Sequence, residues 1–296
     1  MGGKNLMLKK YKKDIAGWMI MLPALLLFTF FIWEPLLASV VMSFFSAKGI
    51  RLEKFVGFQN YIEVLQHPDF KAAFSNTFVY TFWSLVIGFL VPIFLAIIIN
   101  EIIHLKGFFR ISVYLPNVIP GLAVAIMWTF IYRAGKTGLL NIILGNLGVP
   151  PQAWLTKAHL VIPLIVIFMT WRSAGATTLI YLAGLQGIDP ELYEAAAIDG
   201  AGLWARLRYI TVPQIYNLAR TLLILQIISV FQVLYEPLIL TNGGPNNAST
   251  SLMLLVYKYA FEKFDYSKAA AVSVIIAIIL ILLTALYNKL VKENEM

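Results

Sequence analysis

Long apolar runs separated by short charged segments dominate the chain. Four runs carry no Asp, Glu, Lys or Arg: residues 15–33, 72–100, 111–132 and 269–288. Each is long enough to cross a hydrocarbon core of about 30 Å as a helix. Two further runs carry one charge each, Arg172 in 159–182 and Glu236 in 221–241. The pattern predicts an all-α polytopic membrane protein of six transmembrane helices, with both termini on one side. Strands are not indicated, because the runs are too long and do not alternate. The chain divides into a basic tail 1–14, a first transmembrane helix 15–45, an external loop 46–71, a core 72–290 and a tail 291–296.

Charge adds an orientation. Lys4, Lys9, Lys10, Lys12 and Lys13 precede the first span, and such a cluster stays in the cytoplasm. The other Lys and Arg residues divide more evenly between the two sides. Both termini and the segment 183–220 are then cytoplasmic. The basic start could be read as a cleavable signal, but a retained anchor is expected. Its apolar stretch is long, no A-x-A-like site follows, and more spans come after it.

Composition agrees with a membrane protein: 60% of residues are apolar and mean hydropathy is +0.79. The net charge of +8 suits topology and anionic lipid. No basic helix with interleaved aromatics suggests nucleic acid. There is no cysteine, which removes disulfides and thiol chemistry. His67, His104 and His159 have no metal-ligand spacing, so no metal is expected.

Residues 190–213, PELYEAAAIDGAGLWARLRYITVP, interrupt the apolar pattern. Asp189 can cap a helix that begins at Pro190, whose missing N–H would be unpaired at that position anyway. Glu191 and Glu194 lie near the positive end of the helix dipole. Ala195, Ala196 and Ala197 favour helix and leave a low surface. Gly200 and Gly202 break the helix, and a second short helix, about Leu203 to Ile210, runs to Pro213. The expected product is a helix–turn–helix knob with small side chains at its tip.

This knob resembles the EAA loop of ABC importer permeases, E-A-A-x-x-D-G-A followed by x5-F-x2-I-x-L-P. Glu194, Ala195, Ala196, Asp199, Gly200, Ala201, Ile210 and Pro213 match in register. Leu207 and Val212 depart from the usual Phe and Leu but stay apolar. Three further elements resemble the sugar branch of these permeases: Phe55-Val-Gly-Phe-Gln-Asn-Tyr61, Tyr114-Leu-Pro-Asn-Val-Ile-Pro120 and Asn242-Gly-Gly-Pro245. Physically, Gly57 and Asn60 suit a turn. The prolines near 116–120 distort a helix end. Asn242–Pro245 reads as a helix C-terminus with Gly in the left-handed position.

The resemblance implies the type I ABC importer transmembrane fold, with the 189–213 segment as a cytoplasmic coupling helix docked on an ATPase. It implies a bacterial cytoplasmic membrane location and import of a sugar, an oligosaccharide or related polyol. The partners would be a second homologous permease, two ABC ATPase subunits and an extracytoplasmic solute-binding protein. The chain itself carries no cofactor; ATP and Mg belong to the ATPase. Gly135-Lys136-Thr137 is no phosphate loop, since Phe130 stands where that pattern needs Gly. No residue is expected to perform bond chemistry.

By the same resemblance the substrate pathway involves Asn117, Gly121, Trp171, Ser173, Gln226, Val230 and Tyr235. Each could equally be ordinary helix packing. Arg172 and Glu236 are intramembrane charges, which normally find a partner. Either they pair with each other, or Arg172 faces the cavity and meets an anionic group. Two other classes compete. An ion-gradient secondary transporter would show internal repeats or paired carboxylates, and neither is evident. A membrane scaffold would not explain the knob.

Overall fold

The computed structural model describes residues 17–49, 51–102 and 104–293. The lysines of the basic tail and residues 294–296 lie outside the described residues. Helix α1 is Gly17–Met42. A hairpin, β1 Phe45–Lys48 and β2 Arg51–Phe55, follows, then α2 Gln59–Gln66. The second span is α3, Pro68–Glu101. Next come α4 Lys106–Val118, α5 Gly121–Ile131, α6 Leu139–Gly145 and the long α7 Ala158–Gln186. The knob begins with α8, Pro190–Ile198. Helix α9, Leu203–Phe231, precedes α10 Tyr235–Thr241, α11 Leu252–Tyr257 and α12 Tyr266–Glu293. Among the described residues five helices are long and apolar enough to cross a membrane, and six if the bent pair α4–α5 counts as one span.

Four expectations change. The segment 46–71 is not a plain loop. It holds the antiparallel hairpin, with Phe45 opposite Phe55, and α2; its last residues already belong to α3. Asn60 holds this unit together. It is buried, and its side-chain amide donates to the carbonyls of Ser43 (2.8 Å) and Phe45 (2.9 Å). The strands are short and polar, so no alternating apolar pattern marks them.

The third span is broken. Helices α4 and α5 meet at 97°, because Pro120 removes a donor and Ile119 before it takes an extended backbone. The second knob helix does not stop at Pro213 but continues as α9. A wider turn over Leu207–Thr211, in which the Val212 N–H bonds the Leu207 carbonyl, lets the helix pass the proline. The fifth span is therefore 203–231 and not 221–241. It ends because Pro237 prevents a helix from running through the preceding turn. The carbonyl of Val233, four residues back, accepts from the Ser251 hydroxyl instead (2.6 Å).

Helix α7 is the central element. Its middle residues Ile165, Val166 and Phe168 pack with Tyr80, Val124, Trp128 and Val230. Toward the knob, Tyr181, Leu182 and Leu185 pack with Ala96, Ile99, Ile188 and Ile215. A third cluster joins α12 to α2, α3 and α11 through Val64, Phe70, Leu255 and Val272. Gly175 lets α7 cross α4 closely: a Cβ there would lie 2.1 Å from the Val113 carbonyl oxygen. Helix α1 is apolar and exposed over residues 17–38, and its last part, Glu34–Met42, packs against α12.

The segment after α10 is polar, with Gly243, Ser249, Thr250 and Ser251 buried. Asn242 and Gly243 both adopt positive φ, so Asn as well as Gly takes the left-handed turn. Side chains of α3 grip the stretch from Asn247 to Thr250. The Asn76 amide donates to the carbonyls of Asn247 (2.7 Å) and Thr250 (3.0 Å), and the Tyr80 hydroxyl to that of Ser249 (3.0 Å).

Candidate functional site: a rigid knob and a charged partition

Two places stand out. The first is the knob. The Asp189 carboxylate accepts from the Glu191 N–H (3.0 Å), capping α8, with Pro190 in the first turn. The helix closes with two crossed bonds, Ala201 N–H to the Ala196 carbonyl (2.8 Å) and Gly200 N–H to that of Ala197 (3.1 Å). This C-cap needs a left-handed residue, and Gly200 has φ +77°. Ala196, Gly200 and Ala201 therefore build the corner.

The two arms are tied at the base. The hydroxyls of Tyr193 and Thr211 are 3.0 Å apart. Tyr193 and Ile210 pack on the cluster formed by the ends of α3, α7 and α9. The tip is open and apolar: Ile198 is 87% exposed and Trp204 81%. Glu194, Ala195, Asp199 and Pro213 are also exposed. A corner fixed at its root with apolar side chains at its tip can seat in another protein and transmit displacement.

The second place is the charged partition. Arg172 Nη1 lies 3.5 Å from Glu236 Oε1, linking α7 to α10. The guanidinium occupies the space left by Gly121 at the start of α5, where a Cβ would sit 2.7 Å from Nη2. Two cavities of about 400 and 460 Å³ share Arg172, Tyr235 and Glu236 in their walls. The first also borders Gly121 and Phe168, the second Ser229 and Gln232.

The other pathway residues scatter. Tyr235 is exposed beside Glu236 and Gly121 backs Arg172, so these two join the partition. Trp171 points elsewhere, stacking near Trp128 (5.6 Å) and lining a separate apolar cavity with Ile87, Val91 and Pro116. Gln226 donates to the Ser84 hydroxyl (2.5 Å). Val230 is packed in the core. Asn117 and Ser173 are exposed, and the Ser173 hydroxyl donates to the Met169 carbonyl (2.8 Å). Among the described residues no group of three or more His, Cys, Asp or Glu side chains could hold a metal.

Sequence reasoning missed the polar grips of Asn76, Thr77, Tyr80 and Ser84. Their signal was present: hydrogen-bonding side chains inside a charge-free span need partners.

Comparison with known proteins gives the same architecture. The chain is 34% identical over 281 residues to the trehalose/maltose transport system permease protein MalF of Thermococcus litoralis, covering 95% of each chain. It superposes on a chain of a bacterial ABC transporter involved in the import of the acidic polysaccharide alginate, with a TM-score of 0.86 and 26% identity, covering 97% of this chain and 98% of that one. It also superposes on a chain of a bacterial alginate ABC transporter in complex with an alginate pentasaccharide-bound periplasmic protein, with a TM-score of 0.83 and 28% identity, covering 95% of each. The family model for the inner membrane component of binding-protein-dependent transport systems matches residues 88–293. A multi-pass helical chain with this match over most of its length belongs to the family of binding-protein-dependent transport system inner membrane components.

Proposed function

We propose that this chain forms the membrane pathway for a sugar in an ATP-driven type I importer, moved by a separate ATPase through the knob at 189–213. The observation that carries the reading is the knob itself: a corner closed by Gly200, tied at its root by Tyr193 and Thr211, with Ile198 and Trp204 exposed at the tip. Glu194, Ala195, Ala196, Asp199, Gly200, Ala201, Ile210 and Pro213 serve ATPase coupling, as structure or as contact surface. The substrates named for two relatives support a sugar: trehalose and maltose for one, alginate for another. The substrate class is an oligosaccharide or related polyol.

The full assembly holds a second homologous permease, two ATPase subunits and an extracytoplasmic solute-binding protein. A periplasmic protein accompanies one solved relative, which supports the last of these. ATP and Mg act on the ATPase, and this subunit is not catalytic. Both termini and the knob face the bacterial cytoplasm. ATP-driven closure of the ATPases moves the knob as one body. Helices α8 and α9 transmit the motion, because packed interfaces switch between discrete arrangements and do not deform continuously. Gly121 and Tyr235 belong to the sugar pathway with Arg172 and Glu236. Asn117, Trp171, Ser173, Gln226 and Val230 are assigned to it by family resemblance alone.

Copurification tests the reading. The native chain should bring down an ATPase, and Trp204→Asp should release it while insertion in the membrane is unchanged. The assembly in vesicles should import sugar only with ATP. Import after ATP depletion, driven by a proton or sodium gradient, would refute the coupling and favour a secondary transporter.

A further inference from the structure

The partition at Arg172 and Glu236 carries an inference about selectivity that rests on the sugar-pathway reading. Arg172 is the sole charge in the run 159–182 and Glu236 in the run 221–241. Two such charges inside apolar spans are costly to insert. Their placement in the walls of two cavities points to a use beyond holding α7 to α10.

The pair is loosely made. One contact of 3.5 Å joins Nη1 to Oε1, where a two-pronged Arg–carboxylate pair would make two contacts of about 2.7–2.9 Å. Arg172 Nε is buried with no hydrogen-bond partner among the described residues. The guanidinium therefore keeps donors in reserve, and the carboxylate keeps acceptor capacity. Tyr235, 61% exposed, presents a ring beside them.

We propose that Arg172, Glu236 and Tyr235 form the selectivity point of the pathway, passing neutral polyhydroxylated sugars and rejecting anionic ones. A sugar hydroxyl both donates and accepts. Neighbouring hydroxyls can therefore bridge the pair, one accepting from Arg172 and the other donating to Glu236, while the ring face of Tyr235 covers the sugar's C–H surface. The pair is neutral as a unit, so a neutral guest leaves no uncompensated charge. A uronate or phosphate satisfies Arg172 alone. It sets a second negative charge beside Glu236 in a poorly solvated place, where like charges destabilise each other. Gly121 keeps the guanidinium in position; a side chain there would push Arg172 out of line.

The test uses the complete permease–ATPase assembly without binding protein, which removes that protein's own selectivity. Native mass spectrometry reads the retention of two mixtures: neutral malto-, xylo-, arabino- and galacto-oligosaccharides, and anionic galacturonate and mannuronate oligomers. The wild type should retain the neutral set over the anionic one. Glu236→Gln should shift the ratio toward anions by about tenfold or more, because it removes a like charge close to the guest. Arg172→Gln should lose neutral sugar without gaining anions.

Gly121→Ala guards against a folding failure. It keeps both charges and clashes only with the far end of a flexible side chain; neutral-sugar retention should fall about tenfold while assembly persists. A ratio that none of these variants moves, or a wild type that prefers anions, overturns the inference and leaves the sugar pathway standing. ATP-driven uptake by the complete assembly with its binding protein, read on the same mixtures, separates the two. If no sugar of either mixture enters, the pathway reading falls and this inference with it.

Discussion

The hydroxyls of Tyr193 and Thr211 meet at 3.0 Å across the two arms of the knob, joining α8 to the widened turn that leads into α9. Thr211 is buried, so the bond is sheltered from water. Tyr193→Phe removes it while keeping the ring packed on Ile210 and its neighbours. The expected cost is about 1 kcal/mol of local stability. Transport per ATP hydrolysed should fall, with copurification of the ATPase retained. An unchanged ratio of transport to hydrolysis would show that knob rigidity does not matter.

Gly200 tests the corner itself. At φ +77° a Cβ would meet no neighbouring atom within 4 Å, so the cost of a substitution is backbone strain and not a clash. Gly200→Ala should cost roughly 1–2 kcal/mol, and Gly200→Asn less, because Asn tolerates the left-handed region. Transport should rank Gly above Asn above Ala. The ATPase-binding assay should follow the same order.

Two glycines on crossing helices should respond with opposite sign. Gly175→Ala places a methyl 2.1 Å from a backbone oxygen of α4, which cannot give way; the protein should melt far below wild type or fail to accumulate. Gly107 sits in α4 with nothing near, and Ala is the better helix former by roughly 1 kcal/mol. Gly107→Ala should keep or raise the melting temperature. Equal effects of the two changes would show that the α4–α7 crossing is not tight.

Acid should weaken the contact between α2 and α12 through Glu63. Its carboxylate accepts from the Gln59 side chain and then from Lys268, whose Nζ is 3.0 Å away, and both hold its pKa below the usual glutamate range. A depressed carboxylate pKa adds stability above the unfolded value and loses it as pH falls through the folded one. Thermal stability should therefore drop on acidification below about pH 4.3. Glu63→Gln should flatten that drop. Because Glu63 is half exposed, the effect is small, and a calorimetric series from pH 7 to 3 measures it.

Much of the architecture was legible in the chain. Apolar run length marked the first, second, fourth and sixth spans, because a helix must cross a fixed thickness and no other open segment satisfies its backbone in lipid. The knob was legible for a different reason. Asp189, Pro190 and Gly200 act on their own backbone, so their identity and spacing state the local geometry. Asp189 caps and Gly200 turns, as their types require.

The features that could not be read depend on partners distant in sequence. The fifth span begins 18 residues earlier than its apolar run suggested, because a widened turn carries the helix past Pro213. It ends early because Ser251 satisfies the Val233 carbonyl freed ahead of Pro237. The hairpin at 45–55 has no alternating pattern; Asn60, from the next helix, holds it. That Trp171 and Arg172, adjacent on α7, point to different sides follows from helix geometry, but which cavities they line was set by the other helices. Apolar lengths, helix caps and the glycine corner are properties of single segments, and residue order alone specifies them. Which polar side chains meet was set by tertiary packing, because a buried donor is satisfied by whatever acceptor the other helices bring to it.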